Sequence, residues 1–537
     1  MNHNHIVDGS PKAQPEATIQ AAGTPVVLAI IDGWGIGPAG PGNAIRSAKT
    51  PNINDLKRRY PDSKVFAHGR YVGLLPDQEG NSEAGHTNIG AGRVVRQDIL
   101  YVTEAVKDRT FFKNTAFQQC IKHVQKNKST MHIMGLLSNG NSAHASPEHL
   151  YALLRLMHEE QLPKVRLHLF TDGRDSSPHS SPKLLQRVRE NMFGGQEIAT
   201  IMGRFYGMDR NKWWVRTEHA YNAIVMGQGL AAHDAESAIL SGYNRGETDE
   251  FILPTIILDE HDHPYGQVND GDAIIIFNLR SDRARQLAKT FIQQDFNAKN
   301  EGSFIRKKVP QDILMTAMTD FGPDLQHMLT AFPSRDVEMS LTEVLGLCGM
   351  RQFYIAESEK YAHVTYFFNG GYADIRFNED RMRVPSQFVP HHYMRPKMRA
   401  KEITDEVIRR IKSNIHDFIC LNLANADMVA HSGNIPATVQ AVEEVDRCIG
   451  DLAKAVLTHN GTLVIVGDHG NAEHMLDKKT GEMVTEHTTN PVPFLLINDR
   501  LHNARVGSGM LSDVAPTILD VMGIPKPTEM SGFSLLR

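Results

Sequence analysis

Aspartate and histidine side chains cluster in polar segments that follow short apolar runs. Asp427 and His431 are four positions apart in DMVAH, which places both side chains on one face of a helix. Asp468 and His469 are adjacent after LVIV, and His487 follows in EHTTNPVP. Mixed carboxylate and imidazole ligands suit divalent Mn, Co or Zn better than Ca. The cluster predicts a metal site, in which two adjacent ions could polarise a phosphoryl group from both sides.

The alternative is that these pairs are ordinary. A single histidine is more often a surface or core residue than a ligand, and such pairs arise by chance among 26 histidines. Because all of these aspartates and histidines together follow the ends of predicted strands, a metal site is the favoured interpretation. Asp32 follows the apolar run VVLAII near the N terminus, far from Asp468 along the chain. If both belong to one site, the two chain ends must fold together around an inserted middle segment.

Ser82 lies in GNSEAGHTNIGAGR, between Gly80 and Gly85. One interpretation is an ordinary serine that caps a helix N terminus. The other is a nucleophile, since a helix N terminus favours an anion and a metal could hold the serine as alkoxide.

Arginine dominates the middle of the chain. A guanidinium group binds phosphate and carboxylate in a bidentate manner, so several arginines after strand ends suit a small ligand that carries both groups. A single arginine is more often a surface ion-pair partner, but five arginines placed after strand ends argue against this interpretation for the whole set. The candidates are Arg174, Arg204, Arg210, Arg280 and Arg283.

The composition indicates a globular protein. The chain has 537 residues, of which 41% are hydrophobic and 22% charged, with a net charge of −5, so bulk attraction to nucleic acid is not expected. Four cysteines without a CxxC pair argue against a disulfide framework and favour the cytoplasm. No apolar run approaches the length of a membrane helix, and residues 1–23 are interpreted as a flexible tail. Apolar strands alternate with amphipathic helices, which predicts an α/β fold with mainly parallel sheets.

Nine segments occur in a fixed order: DGWG, GNSEAGHTNIGAGR, DGRDSSP, GRFYGMDR, NLRSDR, ESEKYAHVTYFFNGG, DMVAHSG, GDHGNAE and HTTNPVP. In these segments the chain closely resembles the cofactor-independent (2,3-bisphosphoglycerate-independent) phosphoglycerate mutases, of the alkaline-phosphatase-like superfamily. The resemblance implies a phosphatase-like domain, residues 24–98 and 334–537, with an inserted transferase-like domain, residues 99–333. The candidate crossings lie near Arg96–Tyr101 and Thr330–Arg335.

The resemblance also implies the site residues. One manganese ion would take Asp427, His431 and His487, and a second would take Asp32, Ser82, Asp468 and His469. Ser82 would carry the phosphoryl group, Lys360 would stabilise its charge, and Asp175 is the candidate for proton transfer. The implied substrate residues are His144, Arg174, Asp175, Arg204, Arg210, Arg280, Arg283 and Lys360.

The implied activity is interconversion of 3-phosphoglycerate and 2-phosphoglycerate in glycolysis and gluconeogenesis. It needs two divalent ions, expected to be Mn²⁺, and no 2,3-bisphosphoglycerate. The expected protein is a cytoplasmic monomer without nucleic-acid or membrane partners. The alternatives are a metal-dependent phosphatase of a small phosphometabolite and a non-catalytic phosphometabolite-binding protein.

The chain departs from the family pattern in one loop. Where family members usually have a GVHSH-like segment, this chain has SNGNSAHAS, residues Ser138–Ser146. His144 matches one of the two histidines, and the loop is one residue longer. In the competing interpretation, His144 turns outward and Asn139, Asn141 or Ser142 replaces it.

Overall fold

The strands of the protein form two separate sheets. The computed structural model describes residues 24–537 except 326, 334–336, 373 and 478, so the interpretation of 1–23 as a tail lies outside the described residues. Each sheet has eight strands in the part of the chain that the structure describes. The strands are β1 Val26–Ile31, β2 Asp62–Phe66, β3 Met131–Leu137, β4 Val165–Thr171, β5 Gln196–Gly203, β6 Leu230–Ala232, β7 Thr255–Ile257, β8 Ala273–Ile276, β9 Leu314–Ala317, β10 Leu329–Thr330, β11 Gln352–Glu357, β12 Glu379–Val384, β13 Phe418–Leu423, β14 Thr462–Gly467, β15 Val492–Ile497 and β16 Gly509–Met510.

The helices cover the sheets through regularly spaced apolar residues. In the helix from Ala400 to Ser413, for example, Ile403, Val407 and Ile411 form a buried stripe with a spacing of four residues. The helices are α1 Ala44–Ser47, α2 Pro51–Arg59, α3 Ser82–Ala91, α4 Asp98–Lys107, α5 Thr115–Asn127, α6 Pro147–Glu159, α7 Ser181–Glu190, α8 Arg204–Gly207, α9 Trp214–Tyr221, α10 Ala235–Asn244, α11 Ser281–Ile292, α12 Phe296–Lys299, α13 Leu341–Leu347, α14 Ala400–Ser413, α15 Asn425–Ala430, α16 Ile435–Thr458 and α17 Val514–Met522.

The first sheet brings the two ends of the chain together. Its order is β12-β11-β13-β1-β14-β15-β2-β16, and β1 pairs in parallel with both β13 and β14. Ile31 at the end of β1 is level with Leu423 on one side and Gly467 on the other. All residues of these three strands are buried, which explains their continuous apolar runs. The polar segments after them therefore meet at one sheet edge.

The second sheet contains the strands of the middle segment. Its order is β10-β9-β8-β3-β4-β5-β7-β6, with the β5–β7 pair antiparallel and the other pairs parallel. Leu137, Thr171 and Gly203, the last residues of β3, β4 and β5, are in register. The loops after these strands therefore open at one edge, as expected for ligand binding in a parallel sheet.

The prediction of an α/β fold with mainly parallel sheets is confirmed. Among the described residues, no helix has both the length and the apolar character needed to cross a membrane.

Candidate functional site

Three side chains predicted as ligands of one metal ion converge at the edge of the first sheet. Asp427 lies on α15, His431 directly follows this helix, and His487 lies in the loop before β15. The Nε2 atoms of the two histidines are 3.2 Å apart, and each lies 3.3–3.4 Å from Asp427 Oδ1. The donor set and its spacing fit a divalent transition metal ion.

The orientation of the histidine rings supports this assignment. The Nδ1 atoms of His431, His487 and His469 lie 2.9, 2.8 and 3.2 Å from backbone carbonyl oxygens. A carbonyl oxygen can only accept, so Nδ1 carries a proton in each ring, and Nε2 is the atom that faces the cluster and that a metal ion can take. Metal-ligating histidines characteristically have such an outer hydrogen bond, which fixes the tautomer.

The second predicted set of ligands lies beside the first. Asp32 Oδ1 is 3.5 Å from His469 Nε2 and 3.4 Å from Ser82 Oγ, and Asp468 Oδ2 is 3.7 Å from His469 Nε2. Asp32, Asp468 and His469 are spread over two overlapping groups of possible ligands, one with Asp427 and one with His86. His86 was not predicted, although it lies one helical turn after Ser82.

Close packing holds these loops together. Gly33 follows Asp32 with φ of 67°, and its N–H donates to Asp468 Oδ1 at 3.1 Å. A Cβ atom at Gly33 would lie 2.7 Å from the Cα atom of Asp427. Glycine is therefore required here both for the left-handed backbone and for the close approach of the two loops.

The electrostatics of the cluster also call for cations. Burial lowers the pKa of His469, but Asp468, Asp32 and Asp427 outweigh burial and raise it to about 10. The buried carboxylates thus create a strongly negative field. Together with the prepared histidine rings, this donor set fits two neighbouring divalent metal ions.

Ser82 lies at the start of α3, but it does not cap the helix. Asn81 is the N-cap residue, and its side chain accepts the N–H of Ala84 at 2.9 Å. The interpretation of Ser82 as an ordinary capping serine is therefore wrong. Its Oγ lies 3.0 Å from His469 Nε2 and 2.6 Å from Lys360 Nζ, so the hydroxyl group is directed into the cluster.

Lys360 is buried and positively charged. Its Nζ donates to Asp32 Oδ1 at 2.7 Å and to Asp427 Oδ2 at 2.8 Å. Burial would lower the pKa of Lys360, but Asp32, Asp427 and Asp468 hold it above its usual value. A fixed positive charge therefore lies beside the Ser82 hydroxyl group.

The two sheet edges face each other across one pocket. Ser82, Asp427, His431 and His487 line it from the first sheet. All eight residues predicted to bind substrate also line it: His144, Arg174, Asp175, Arg204, Arg210, Arg280, Arg283 and Lys360. Asp32, Asp468 and His469 are buried behind this lining.

The pocket arginines fall into two groups. Three of them have carboxylate partners: Arg204 with Asp172 and Asp175, Arg210 with Asp282 and Glu359, and Arg280 with Glu83 and Asp282. No carboxylate ion pair is found for Arg174 or Arg283 among the residues that the structure describes. Burial, then Arg210, Arg174 and Arg204, hold the pKa of Arg283 well below its usual value. An anionic ligand would relieve this repulsion.

The divergent loop places His144 in the pocket. His144 is 3% exposed, and its Nδ1 has no hydrogen-bond partner. Burial, with Arg280 and Arg204 nearby, holds its pKa well below the usual value, so the ring is neutral. Ser142, from the same loop, donates to Asp175 Oδ2 at 2.7 Å, and Arg204 donates to the same oxygen at 2.8 Å.

Several charged residues of the pocket were missed by sequence reasoning. Glu83 directly follows Ser82, Glu359 directly precedes Lys360, and Asp282 lies between Arg280 and Arg283. Their proximity to predicted residues was the available signal. The arginine partners of Glu83 and Glu359 depend on how the two sheet edges face each other, which the sequence does not display.

Comparisons with known proteins agree with this geometry. The model of the metalloenzyme superfamily matches residues 24–526. The chain is 46% identical to the 2,3-bisphosphoglycerate-independent phosphoglycerate mutase of Thermomicrobium roseum, over 95% of this chain and 98% of that protein. It is 44% identical to enzyme 1 of this name from Methanosarcina acetivorans, again over 95% and 98%.

A solved structure matches as well. The phosphoglycerate mutase of Leishmania mexicana, crystallised at low cobalt concentration, superposes with a TM-score of 0.87 at 30% identity, covering 96% of this chain and 98% of that one. The resemblance found in the sequence motifs is thus confirmed over nearly the whole chain. The protein belongs to the 2,3-bisphosphoglycerate-independent phosphoglycerate mutase family, within the metalloenzyme superfamily.

Proposed function

We propose that the protein interconverts 3-phosphoglycerate and 2-phosphoglycerate through a phosphoserine at Ser82. One observation carries the proposal: a single pocket contains a serine beside a buried lysine, converging metal ligands, and two arginines without carboxylate partners among the described residues. The first features suit phosphoryl transfer, and the arginines suit an acceptor that carries a carboxylate and a phosphate.

We assign one metal ion to Asp427, His431 and His487, and a second to Asp32, Ser82, Asp468 and His469. Bound at these positions, divalent ions supply Lewis acidity toward phosphoryl oxygens and favour the deprotonated serine. Mn²⁺ is our choice of ion, since carboxylate and imidazole ligands both suit it. No 2,3-bisphosphoglycerate is required, because Ser82 itself provides the phosphoryl carrier.

Ser82 is the nucleophile of the proposed reaction. Its Oγ gives up its proton and forms a bond to phosphorus while the bond from phosphorus to the substrate oxygen breaks; the released oxygen takes up a proton, which leaves glycerate and phospho-Ser82. Lys360 Nζ, 2.6 Å from Oγ, stabilises the serine alkoxide and the charge on the transferring group. Its ion pairs with Asp32 and Asp427 keep it in position.

Asp175 exchanges protons with the glycerate hydroxyl groups. Two donors hold its Oδ2, so Oδ1 remains to accept a proton. Arg174 and Arg283 bind the carboxylate and the substrate phosphate. The glycerate reorients in the pocket, its other hydroxyl oxygen attacks phospho-Ser82, and the Oγ–phosphorus bond breaks.

We further propose the domain division made from the sequence, with residues 24–98 and 334–537 in one domain and 99–333 in the other. The distribution of strands between the two sheets supports it, because β3 to β10 all belong to the second sheet. The second crossing extends to residues 334–336, which lie outside the described residues. The protein is proposed to act as a cytoplasmic monomer on small-molecule substrates.

A ³¹P NMR assay with 3-phosphoglycerate and Mn²⁺ tests the function, because 2-phosphoglycerate and inorganic phosphate give separate signals. A mutase forms 2-phosphoglycerate with little free phosphate. Phosphate as the main product would identify a phosphatase. No turnover with metal bound would identify a binding protein, and either result would refute the proposal.

A further inference from the structure

A continuous series of ion pairs crosses between the two sheet edges twice. From Glu83 it passes to Arg280, then to Asp282, Arg210 and Glu359. Arg280 binds Glu83 Oε1 and lies 3.4 Å from Asp282 Oδ2. Arg210 lies 2.8 Å from Asp282 Oδ2 and 2.9 Å from Glu359 Oε2. These five residues are called the ion-pair chain below.

The ends of the ion-pair chain lie beside the catalytic residues. Glu83 follows Ser82 on α3, and Glu359 precedes Lys360 just after β11, so both ends belong to the part of the protein built on the first sheet. The middle residues of the ion-pair chain belong to the part built on the second sheet: Arg210 follows α8, and Arg280 and Asp282 lie at the start of α11. The contacts therefore join the two parts next to both catalytic residues.

All three carboxylates of the ion-pair chain are ionised. Burial would raise the pKa of Glu83, but Arg280 and the hydrogen bond from His363 hold it well below its usual value. Burial is likewise outweighed at Glu359, where Arg210 and His392 lower the pKa to about 2. The side chains of Glu83, Arg280 and Arg210 are 7, 19 and 19% exposed. Breaking such partly buried pairs costs far more than breaking surface pairs.

A separate contact joins the same two parts at the rim. The ring of Trp213, just before α9, stacks on Phe388, in the segment between β12 and α14, with centroids 5.2 Å apart and an interplanar angle of 7°. The rings remain 41 and 80% exposed. The stack is thus peripheral, whereas the ion-pair chain lies in the pocket wall.

We propose that the ion-pair chain locks the two parts together around phospho-Ser82 and excludes water during transfer, with Glu83, Asp282 and Glu359 as positioning residues. This inference rests on the proposed function. Arg210 and Arg280 line the substrate pocket and also make the inter-part ion pairs, so the same side chains serve substrate binding and closure. Closure that excludes water directs the phosphoryl group to glycerate.

The lock has a defined competing reaction. When the two parts separate, a water oxygen can bond to phosphorus while the bond from phosphorus to Ser82 Oγ breaks. One proton of that water returns to Ser82 Oγ, and the other is lost to solvent or retained by the phosphate. The products are inorganic phosphate and glycerate. A weakened lock therefore changes how the phosphoryl group is divided between glycerate and water.

Glu359→Gln is the primary test, because Glu83 adjoins a proposed metal ligand. The ratio of inorganic phosphate to 2-phosphoglycerate is measured by ³¹P NMR with 3-phosphoglycerate and saturating Mn²⁺. Loss of a hydrogen bond to a charged group should raise the ratio about ten- to a hundredfold. Asp282→Asn interrupts the ion-pair chain at its middle residue and should also raise the ratio of inorganic phosphate to 2-phosphoglycerate. Glu406→Gln is the control, since Glu406 binds Arg409 and Arg410 within α14.

An unchanged ratio in Glu359→Gln and Asp282→Asn, with folding verified by circular dichroism, overturns the proposal. So does an equal increase in Glu406→Gln. Small-angle scattering provides a measurement independent of turnover: Glu359→Gln should have a larger radius of gyration than the wild type, and identical dimensions contradict the lock. Failure of the wild type to form 2-phosphoglycerate refutes the proposed function instead, while scattering still tests the lock.

Discussion

Lys360 Nζ lies 2.6 Å from Ser82 Oγ and also donates to Asp32 and Asp427, at 2.7 and 2.8 Å. One ammonium group therefore contacts the proposed nucleophile and one carboxylate from each predicted metal set. This places a permanent positive charge where negative charge develops during phosphoryl transfer, and the surrounding carboxylates keep it protonated.

Replacement of Lys360 by Met should lower kcat by about two to three orders of magnitude, the typical effect of losing one preorganised donor. Steady-state kinetics at saturating Mn²⁺ measure this. Lys308→Met is the control, because Lys308 donates to the backbone oxygens of Val225 and Val268 outside the pocket. A kcat for Lys360→Met within threefold of the wild type would contradict the assigned role.

Ser82→Ala should abolish mutase activity without unfolding the protein, because the phosphoryl carrier is lost while the Asn81 cap of α3 remains. Mass spectrometry of the wild type quenched during turnover should find phosphate on the peptide that contains Ser82. Substantial turnover by metal-loaded Ser82→Ala would exclude the phosphoserine mechanism.

Chelation should remove activity, and Mn²⁺ should be among the ions that restore it. The proposed ligands include His431, His469 and His487, whose coordinating nitrogens must give up any proton to bind a metal ion, so metal affinity should fall as the pH decreases. Titration with Mn²⁺ at pH 7.5 and 5.5 measures the change. Unaltered metal content in an Asp427→Ala, Asp468→Ala double variant would contradict the site.

Much of the metal cluster could be predicted because its residues follow recognisable strands. The apolar runs before Asp32, Asp427 and Asp468 identify β1, β13 and β14, and the carboxyl ends of parallel strands share an edge. The position of β1 between the other two is a long-range pairing, which no local pattern encodes. His86 was missed for a related reason, since its approach to Asp468 depends on how α3 packs.

The ion-pair chain was out of reach of sequence reasoning. In the sequence Glu83, Asp282 and Glu359 look like ordinary surface carboxylates, and the arginine partners of Glu83 and Glu359 are far away along the chain. What distinguishes Glu83 and Glu359 is contact with an arginine of the part built on the second sheet, which depends on the relative placement of the two sheets. The motif segments therefore identify the charged residues near the site, but they do not show which of these residues form ion pairs with each other.

Glu357 should make stability depend on pH. It is 1% exposed, and burial raises its pKa to about 7, although the N–H of Arg399 bonds to it at 2.6 Å. The folded state thus binds this proton more tightly than the unfolded state, where the pKa is about 4.3. Its stabilising effect is complete below about pH 4 and is lost as the pH rises through about 7.

Glu357→Gln should remove this dependence, because glutamine can accept the same backbone N–H without ionising. At pH 8 the variant should exceed the wild type in free energy of unfolding by up to about 3 kcal/mol, with a smaller difference at pH 5. Urea unfolding at both pH values measures this. Glu402→Gln is the control, because Glu402 is an exposed carboxylate that also contacts Arg399. A difference independent of pH would exclude titration of Glu357.

His144, in the divergent loop, is placed to contact the substrate. His144 is buried and neutral, lines the pocket, and has a ring nitrogen without a partner. A neutral imidazole can donate one hydrogen bond to a substrate phosphate or carboxylate, and a bond to a charged group contributes about 1.5–3 kcal/mol. His144→Ala should therefore lower kcat/KM by roughly one to two orders of magnitude. His158→Ala is the control, because His158 lies in the last turn of α6 and does not line the pocket. An unchanged kcat/KM in His144→Ala would show that His144 does not contact the substrate, while the proposed metal cluster and Ser82 would be unaffected.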